Sequence, residues 1–243
     1  MKYTIPSKGR SDSIGHMIDL LGSKDTLIYV HQSEKDDYSK VLTKSQLRTH
    51  NVFGIGAIRK EMYDDNLNEN YTFQFDDDII SLEYKLEDRM TVIVDASHIR
   101  AVIDNCYQMA LDIGTPLFGL AAGLGPMLYS QLNLVQFSGF VNAINTGVIP
   151  KLMGDINWDP RFTVQHEDHD LTLQVKYHKR YVYIDGRYSI KSPAGSLNEN
   201  GLSTIRSKEA RDRCRELLIT KYGNRVITPS PKQDNRIRLM TGF

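Results

Sequence analysis

The residues with the clearest chemical potential are three consecutive aspartates in Phe73–Ile79, FQFDDDI. They follow Tyr71–Phe75, in which aromatic and polar residues alternate as in a β-strand. Open α/β sheets bind ligands at the carboxyl ends of their strands, so the aspartates are predicted to lie at such an edge. Adjacent carboxylates repel one another unless cations or donors intervene, and oxygen ligands suit Mg²⁺ and Mn²⁺. We expect a divalent-metal site here; the alternative is an exposed acidic turn.

Two further segments can contribute to this site. IPSKGR, residues 5–10, offers a hydroxyl, two cations and backbone donors before a helix N-terminus, which favours anions. GIGAIR, residues 54–59, begins a predicted helix; its glycines allow close backbone approach, and Arg59 could meet a phosphate or the aspartates. The alternatives are an ordinary loop and a surface arginine.

A fourth segment, HEDHD at residues 166–170, combines two histidines with three carboxylates. The histidines are three apart, whereas the zinc-protease pattern H-E-x-x-H needs them four apart. A carboxylate here could instead act as general base toward an acceptor hydroxyl. A charged loop without a catalytic role is the alternative, and the residues that follow, 171–178, fit either a strand or a helix.

The elements that must position these groups alternate between strand and helix patterns. Strands are predicted at residues 2–6, 26–30, 71–75 and 91–95, and helices near residues 12–21, 55–65, 99–113 and 207–222. This order predicts an α/β fold with a mixed, mostly parallel sheet flanked by helices. Beyond Gly114 the sequence becomes glycine-rich and irregular, so a single compact domain with halves 1–114 and 115–243 is expected. Asp185-Gly186 predicts a hairpin turn within residues 181–190.

Composition excludes several classes of protein. A chain of 243 residues with 40% hydrophobic residues can bury a core. Its two cysteines form neither a disulfide framework nor a C-x-x-C metal motif. No apolar run approaches the length of a membrane span, and MKYTIPSKGR lacks the apolar region of a signal peptide. We expect a cytoplasmic protein without a membrane partner.

The net charge of zero conceals a gradient along the chain. Residues 1–200 have a net charge of −6 and residues 201–243 of +6. The basic segment indicates either a solvated helix face and tail or a contact for a polyanion. The candidate contacts are Arg206, Arg211, Arg215 and Arg225.

Taken in order, IPSKGR, GIGAIR, FDDD and HEDHD resemble the motifs of nucleotide-sugar glycosyltransferases with the GT-A fold. More narrowly, the size and the first three segments are similar to phage glycosyltransferases associated with TET-type oxygenases. The resemblance covers about residues 1–180.

What the resemblance implies is a set of roles for numbered residues. The first half, 1–114, would bind the nucleotide-sugar, and 115–243 would bind the acceptor. Asp76 would lie by the ribose or uracil and share the metal with Asp78, and Asp77 would support both. Asp168 would be the base, with Glu167 as substitute. Many family members use a C-terminal histidine as a further metal ligand; here His178, His169 or water would serve. The nucleotide contacts would be Pro6, Ser7, Lys8, Arg10 and Arg59.

The implied activity is metal-dependent transfer of a sugar from a UDP-sugar to the hydroxymethyl group of 5-hydroxymethylcytosine, or a related pyrimidine, in phage DNA. Mn²⁺ or Mg²⁺ would be the cofactor, and a phage-encoded chain would act in the host cytoplasm. Three alternatives remain: a glycan or protein acceptor, a nucleotidyltransferase, and a non-catalytic nucleic-acid module.

Overall fold

The computed structural model describes residues 1–86, 89–122, 135–136, 141, 145–192, 207–224, 227–229 and 237–239. Its strands are β1 (Lys2–Ser7), β2 (Thr26–His31), β3 (Leu47–His50), β4 (Thr72–Phe75), β5 (Ser81–Leu86), β6 (Arg89–Ile93), β7 (Leu117–Ala122), β8 (Val135–Gln136), β9 (Asn145–Val148), β10 (Tyr183–Lys191), β11 (Ile227–Pro229) and β12 (Ile237–Leu239). Its helices are α1 (Gly15–Leu21), α2 (Lys35–Tyr38), α3 (Ile55–Asp64), α4 (Ala96–Ile113), α5 (Pro150–Met153), α6 (Glu167–Lys179) and α7 (Lys208–Tyr222).

One mixed sheet contains most of these strands, in the order β3-β2-β1-β4-β9-β7-β10-β5-β6. The four strands β3, β2, β1 and β4 are parallel. From β4 onward the pairings are antiparallel, except that β7 and β10 are parallel. The predicted α/β class with a mixed sheet is confirmed, and its parallel N-terminal part brings the carboxyl ends of β1 and β4 to one edge.

Strands β1, β2 and β4 are buried on both faces, which is why most of their polar residues also lack solvent contact. In β4, Phe73 and Phe75 face one layer, whereas Thr72 and Gln74 face the other, and all four are buried. Side chains two residues apart share a face of a strand. Gln74 therefore points to the same side as Asp76, the first residue after β4.

Helix α3 lies close against the segment that precedes α6. A Cβ added at Gly56 would lie 2.4 Å from the Asp159 carbonyl oxygen, and one at Gly54, where φ is +91°, would lie 2.8 Å from Thr163 Cα. The Ile55 and Gly56 amides donate to the carbonyls of Thr163 and Phe162 at 3.0 and 2.9 Å. The close approach that the glycines allow is thus made by the protein's own backbone.

Two local predictions need correction. Residues 183–191 form the single strand β10 and not a hairpin: the Asp185 carboxylate binds the Arg187 amide and guanidinium, which produces a bulge between Asp185 and Ser189. Helix α1 begins at Gly15, after a series of turns, rather than near residue 12 as predicted. For residues 171–178, which fitted two patterns, the structure has the helix α6.

Both halves of the chain contribute strands to the main sheet, since β9, β7 and β10 lie beside β4 and β5. The division at Gly114 stays a prediction. Among the helices that are described, none is both long and apolar enough to cross a bilayer.

Candidate functional site

The candidate site lies where β1 and β4 end side by side. Asp76, Asp77 and Asp78 follow β4, and the IPSKGR loop follows β1. Helix α6 adds Glu167 from its first turn. We call the group formed by Arg10, Arg59, Asp76, Asp77, Asp78 and Glu167 the edge cluster.

Arg59 is the centre of the edge cluster. It is 1% exposed, because it occupies the buried stripe of α3 together with Ile55 and Met62. Its Nη2 donates to Asp76 at 2.7 Å and its Nη1 to Gln74 at 3.1 Å. Arg59 Nε lies 3.5 Å from the Glu167 carboxylate. One guanidinium therefore joins the end of β4 to the start of α6.

The guanidinium also lies near the single tryptophan, with Arg59 Cζ 5.8 Å from the Trp158 ring centroid. Of the two partners considered for Arg59, phosphate or the aspartates, the structure brings it to Asp76.

Arg10 plays a similar part on the other side of the triplet. Its guanidinium binds the Asp77 carboxylate and lies 3.3 Å from Asp78. The Ser7 hydroxyl donates to Asp77 at 2.7 Å and lies 2.7 Å from the Tyr38 hydroxyl, which in turn accepts from the Arg10 amide. The IPSKGR loop and the aspartates thus form one hydrogen-bonded unit.

The remaining IPSKGR residues differ in exposure. Pro6 lies within β1, half-buried and level with Tyr29 of β2. Lys8 is exposed, and the Gly9 amide donates to Glu34 at 2.8 Å. Of the two cations in this loop, Lys8 is the more exposed.

The electrostatics of the edge cluster favour protons or cations. Four carboxylates face two guanidiniums. Burial raises the pKa of Asp77 to about 6, with Ser7 and Arg10 acting against it. Burial and repulsion by Asp168 raise the pKa of Glu167 to about 7, which Arg59 opposes. A nearby positive charge would therefore stabilise the ionised forms of Asp77 and Glu167.

The first turn of α6, which provides Glu167, also contains an aspartate–histidine pair. The Asp168 carboxylate lies 2.7 Å from His169 Nδ1 and accepts the His169 amide at 2.8 Å. Burial lowers the pKa of His169, but the Asp168 carboxylate outweighs it and the net shift is upward. The centre of the His166 ring lies 5.1 Å from that of His169. Burial, and to a smaller extent repulsion by His169, lowers the pKa of His166 to about 4.

The predicted ligand His178 is not brought to the aspartates. It is exposed near the C-terminal end of α6, eleven positions beyond Glu167. At 1.5 Å per residue this corresponds to roughly 16 Å along the helix. Within the described part of the chain, no three His, Cys, Asp or Glu side chains form a group that could hold a metal alone.

A divalent cation nevertheless fits the oxygen donors present. Mg²⁺ usually binds through one or two carboxylates, with substrate phosphates and water completing its shell. Asp76 and Asp78 flank the more deeply buried Asp77 and are the candidates, with Asp78 held near Arg10.

Of the four basic-tail residues singled out, Arg211 and Arg215 lie on α7, and Arg206 and Arg225 lie outside the described residues. Helix α7 packs beside the start of α6, where Gln165 donates to the Arg211 carbonyl at 3.1 Å. Arg215 binds Asp212 at 2.9 Å.

A second charged group anchors this helix pair. It is formed by Asp159, Arg161, Asp170 and Lys221, and we call it the α6–α7 cluster. Asp170 of α6 is fully buried and binds Lys221 at 2.6 Å and the Tyr222 hydroxyl at 2.7 Å. Asp159 binds Arg161 at 2.6 Å and Lys221 at 3.2 Å. The two carboxylates are matched by two cations. Burial favours the protonated form of Asp159, but bonds from Arg161 and Lys221 outweigh it and lower its pKa to about 2.

Tyr38, Gln74 and Trp158 were missed by sequence reasoning. A signal existed for Gln74, since it shares a strand face with Asp76 in a segment buried on both faces. The contacts of Tyr38 and Trp158 depend on tertiary approach, for which the sequence has no local signal.

The sequence matches no protein-family model and no curated protein. Among solved structures, the chain is similar to a protein assigned as a glucose-1-phosphate thymidylyltransferase from Bacillus anthracis, solved with sucrose. The identity is 9%, the alignment covers 79% of this chain and 88% of that one, and the TM-score is 0.44. At that score the likeness carries no argument about activity.

Proposed function

We propose that this protein is a metal-dependent glycosyltransferase that uses a UDP-sugar. The acceptor we propose is the hydroxymethyl group of 5-hydroxymethylcytosine, or of a related modified pyrimidine, in DNA. The observation that carries the proposal is the position of Arg59, whose Nη2 contacts Asp76 and whose Nε lies 3.5 Å from Glu167. A proposed donor-side carboxylate and a proposed base are thereby held beside one edge of the same buried guanidinium.

The donor side is supported by the residues at the ends of β1 and β4. Asp76 and Asp78 would hold Mn²⁺ or Mg²⁺, which when bound stabilises the charge that develops on a leaving diphosphate. Arg10 and Ser7 orient the aspartates through Asp77. Lys8, which is exposed, would contact a phosphate directly.

The acceptor side is supported by the first turn of α6. The acceptor hydroxyl oxygen would attack the anomeric carbon as the bond from that carbon to the diphosphate breaks. The hydroxyl proton would pass to a carboxylate of α6, and a direct displacement of this kind inverts the anomeric centre. A base works best with a pKa near the operating pH, a condition that Glu167 meets. Asp168, bound to His169, is the alternative base.

A DNA acceptor is supported by the location of α7. Arg211 and Arg215 lie on the helix that packs against the start of α6, so phosphate contacts there would be close to the proposed base. A base in a duplex would have to be extruded to reach such a site, which costs a few kcal/mol.

The test incubates the full chain with Mn²⁺, a panel of UDP-sugars and hydroxymethylcytosine DNA, followed by mass measurement of the nucleosides. A hexose or pentose adduct that disappears with EDTA is the expected result. Asp155→Asn, which changes an exposed carboxylate outside the edge cluster, is the matched control for Asp78→Asn.

Other outcomes distinguish the alternatives. UDP-sugar turnover with a glycan or protein but not with DNA would overturn the DNA acceptor alone. Pyrophosphate release from a nucleoside triphosphate and a sugar phosphate would identify a nucleotidyltransferase. DNA binding without turnover of any donor would favour a non-catalytic module.

A further inference from the structure

Strand β6 forms one end of the main sheet, and its exposed face is apolar. Met90, Val92 and Val94 lie two residues apart and are 49%, 53% and 63% exposed. The opposite face is different, because Ile93 is buried and pairs with Leu82 of β5. Among the described residues, β6 is hydrogen-bonded only to β5.

This distribution is the reverse of the usual one. Edge strands normally carry charges that prevent other strands from adding to them. On this face the polar residues lie on the neighbouring strand β5. Glu83 of β5 lies opposite Val92 and binds Lys191 of β10 at 3.3 Å. The apolar residues are thus on the strand whose outer backbone edge has no partner strand in the described part of the chain.

The segment Arg89–Asp95, RMTVIVD, is complementary to itself in antiparallel orientation. A two-fold axis at Val92 would pair Val92 with the partner's Val92 and Met90 with the partner's Val94. It would also place Arg89 opposite the partner's Asp95, at both ends of the segment. This register pairs each of the three apolar residues with another apolar residue. The same register pairs the basic Arg89 with the acidic Asp95.

The chain is suitably extended over this whole segment. Although β6 ends at Ile93, Asp95 still has φ −80° and ψ 121°, and helix α4 begins only at Ala96. Arg89 and Asp95 are both exposed. Cross-strand apolar and opposite-charge pairs each stabilise an antiparallel pair of strands.

We propose that β6 is a dimerisation strand, which pairs with β6 of a second copy of this chain about a two-fold axis at Val92. The two sheets then continue across the interface through antiparallel backbone hydrogen bonds. The proposal is independent of the enzymatic activity proposed above.

The experiment measures the mass of the full chain by sedimentation equilibrium over a concentration series. We expect the wild type to associate to twice the 27.7 kDa of one chain. Val92→Lys should sediment as a monomer. Val41→Lys is the matched control, since Val41 is 49% exposed on another surface, and it should remain dimeric.

A charge exchange tests the register. Arg89→Asp places two like-charge pairs across the axis and should raise the dimer dissociation constant about tenfold. Adding Asp95→Arg to the same chain should restore the affinity, because each altered residue again meets an opposite charge. Thermal melting shows whether losing the Asp95 cap of α4 affects the fold.

Three results would overturn the proposal: a monomeric wild type at every concentration, a dimer indifferent to Val92→Lys, or equal dissociation by Val41→Lys. Failure of the double variant to recover affinity, with its fold intact, would reject the register.

Discussion

The edge cluster and the α6–α7 cluster are built from the same residue types and share helix α6, yet their charges are balanced differently. In the edge cluster, four carboxylates face two guanidiniums, and the pKa values of Asp77 and Glu167 are raised. In the α6–α7 cluster, Asp159 and Asp170 face Arg161 and Lys221, and the pKa of Asp159 is lowered.

The direction of these shifts separates two uses of buried charge. A carboxylate matched by cations stabilises its ionised form and holds elements together. A carboxylate in excess favours a proton or a metal ion, which is typical of functional sites. Asp170 thus fixes α6, while Glu167, one turn earlier, keeps a raised pKa.

The largest expected effect is from Asp78→Ala. Loss of this carboxylate should abolish metal-dependent donor binding while the melting temperature stays near that of the wild type, because Asp78 is only partly buried. Calorimetric titration of a UDP-sugar with and without Mn²⁺ measures it. Donor affinity that ignores both EDTA and Asp78→Ala would remove the metal from the edge cluster.

The next effect concerns the base. General-base catalysis contributes about 10²–10⁴-fold, so the isosteric change of the true base should reduce turnover within that range. We expect Asp168→Asn or Glu167→Gln, but not both, to do so. If Glu167 is the base, the pH–rate profile should also have an apparent pKa near 7 that is absent from the Glu167→Gln enzyme. Unchanged turnover in both variants would place the base elsewhere.

The third prediction concerns the stability that the α6–α7 cluster gives to the fold. Lys221→Met removes the cation shared by Asp159 and Asp170, and breaking a buried ion pair from one side costs about 3–5 kcal/mol. Chemical denaturation should show this loss, whereas turnover per folded molecule should change little. Lys208→Met, on an exposed position of the same helix, is the control. Equal stability of the two variants would contradict an anchoring role.

The smallest effect is the pH dependence of stability without metal. The pKa of Glu167 is higher in the folded chain than in the unfolded chain, so the folded state holds more protons between pH 4.5 and 7. Stability due to this residue therefore falls as the pH rises through that range. Glu167→Gln should remove this fall, by about 1–3 kcal/mol at pH 7. For Asp159 the sign is opposite, with stability lost as the pH falls from 3.8 toward 2. A wild type and a Glu167→Gln variant with parallel pH curves would contradict the raised pKa.

The sequence predicted the elements better than their contacts. Periodicity located α3, α4, α7 and three of the four parallel strands, β1, β2 and β4, because a buried stripe or alternation is local information. It placed Asp76–Asp78 at the end of a strand for the same reason. The burial of Arg59 was missed, although it occupies the apolar stripe of α3, because a charged residue there is explained only by partners distant in sequence.

Two other misses have physical causes. Asp185-Gly186 has the composition of a hairpin turn, but Asp185 binds Arg187 and the strand bulges and continues. His178 lies on the same helix as the candidate base, at its other end. The sequence of residues 171–178 fitted either a strand or a helix, so it did not determine how far His178 lies from the aspartates.

The close contact of Gly54 and Gly56 with residues 159–163 also affects how the chain matures during synthesis. Helix α3 leaves the ribosome about a hundred residues before the segment that holds it in place. Because translation proceeds at about 5–20 residues per second, that segment is synthesised roughly ten seconds after α3. Until then the Ile55 and Gly56 amides lack their native acceptors. A nascent chain stalled before residue 159 should expose α3 to proteases and chaperones, and one released beyond residue 163 should protect it.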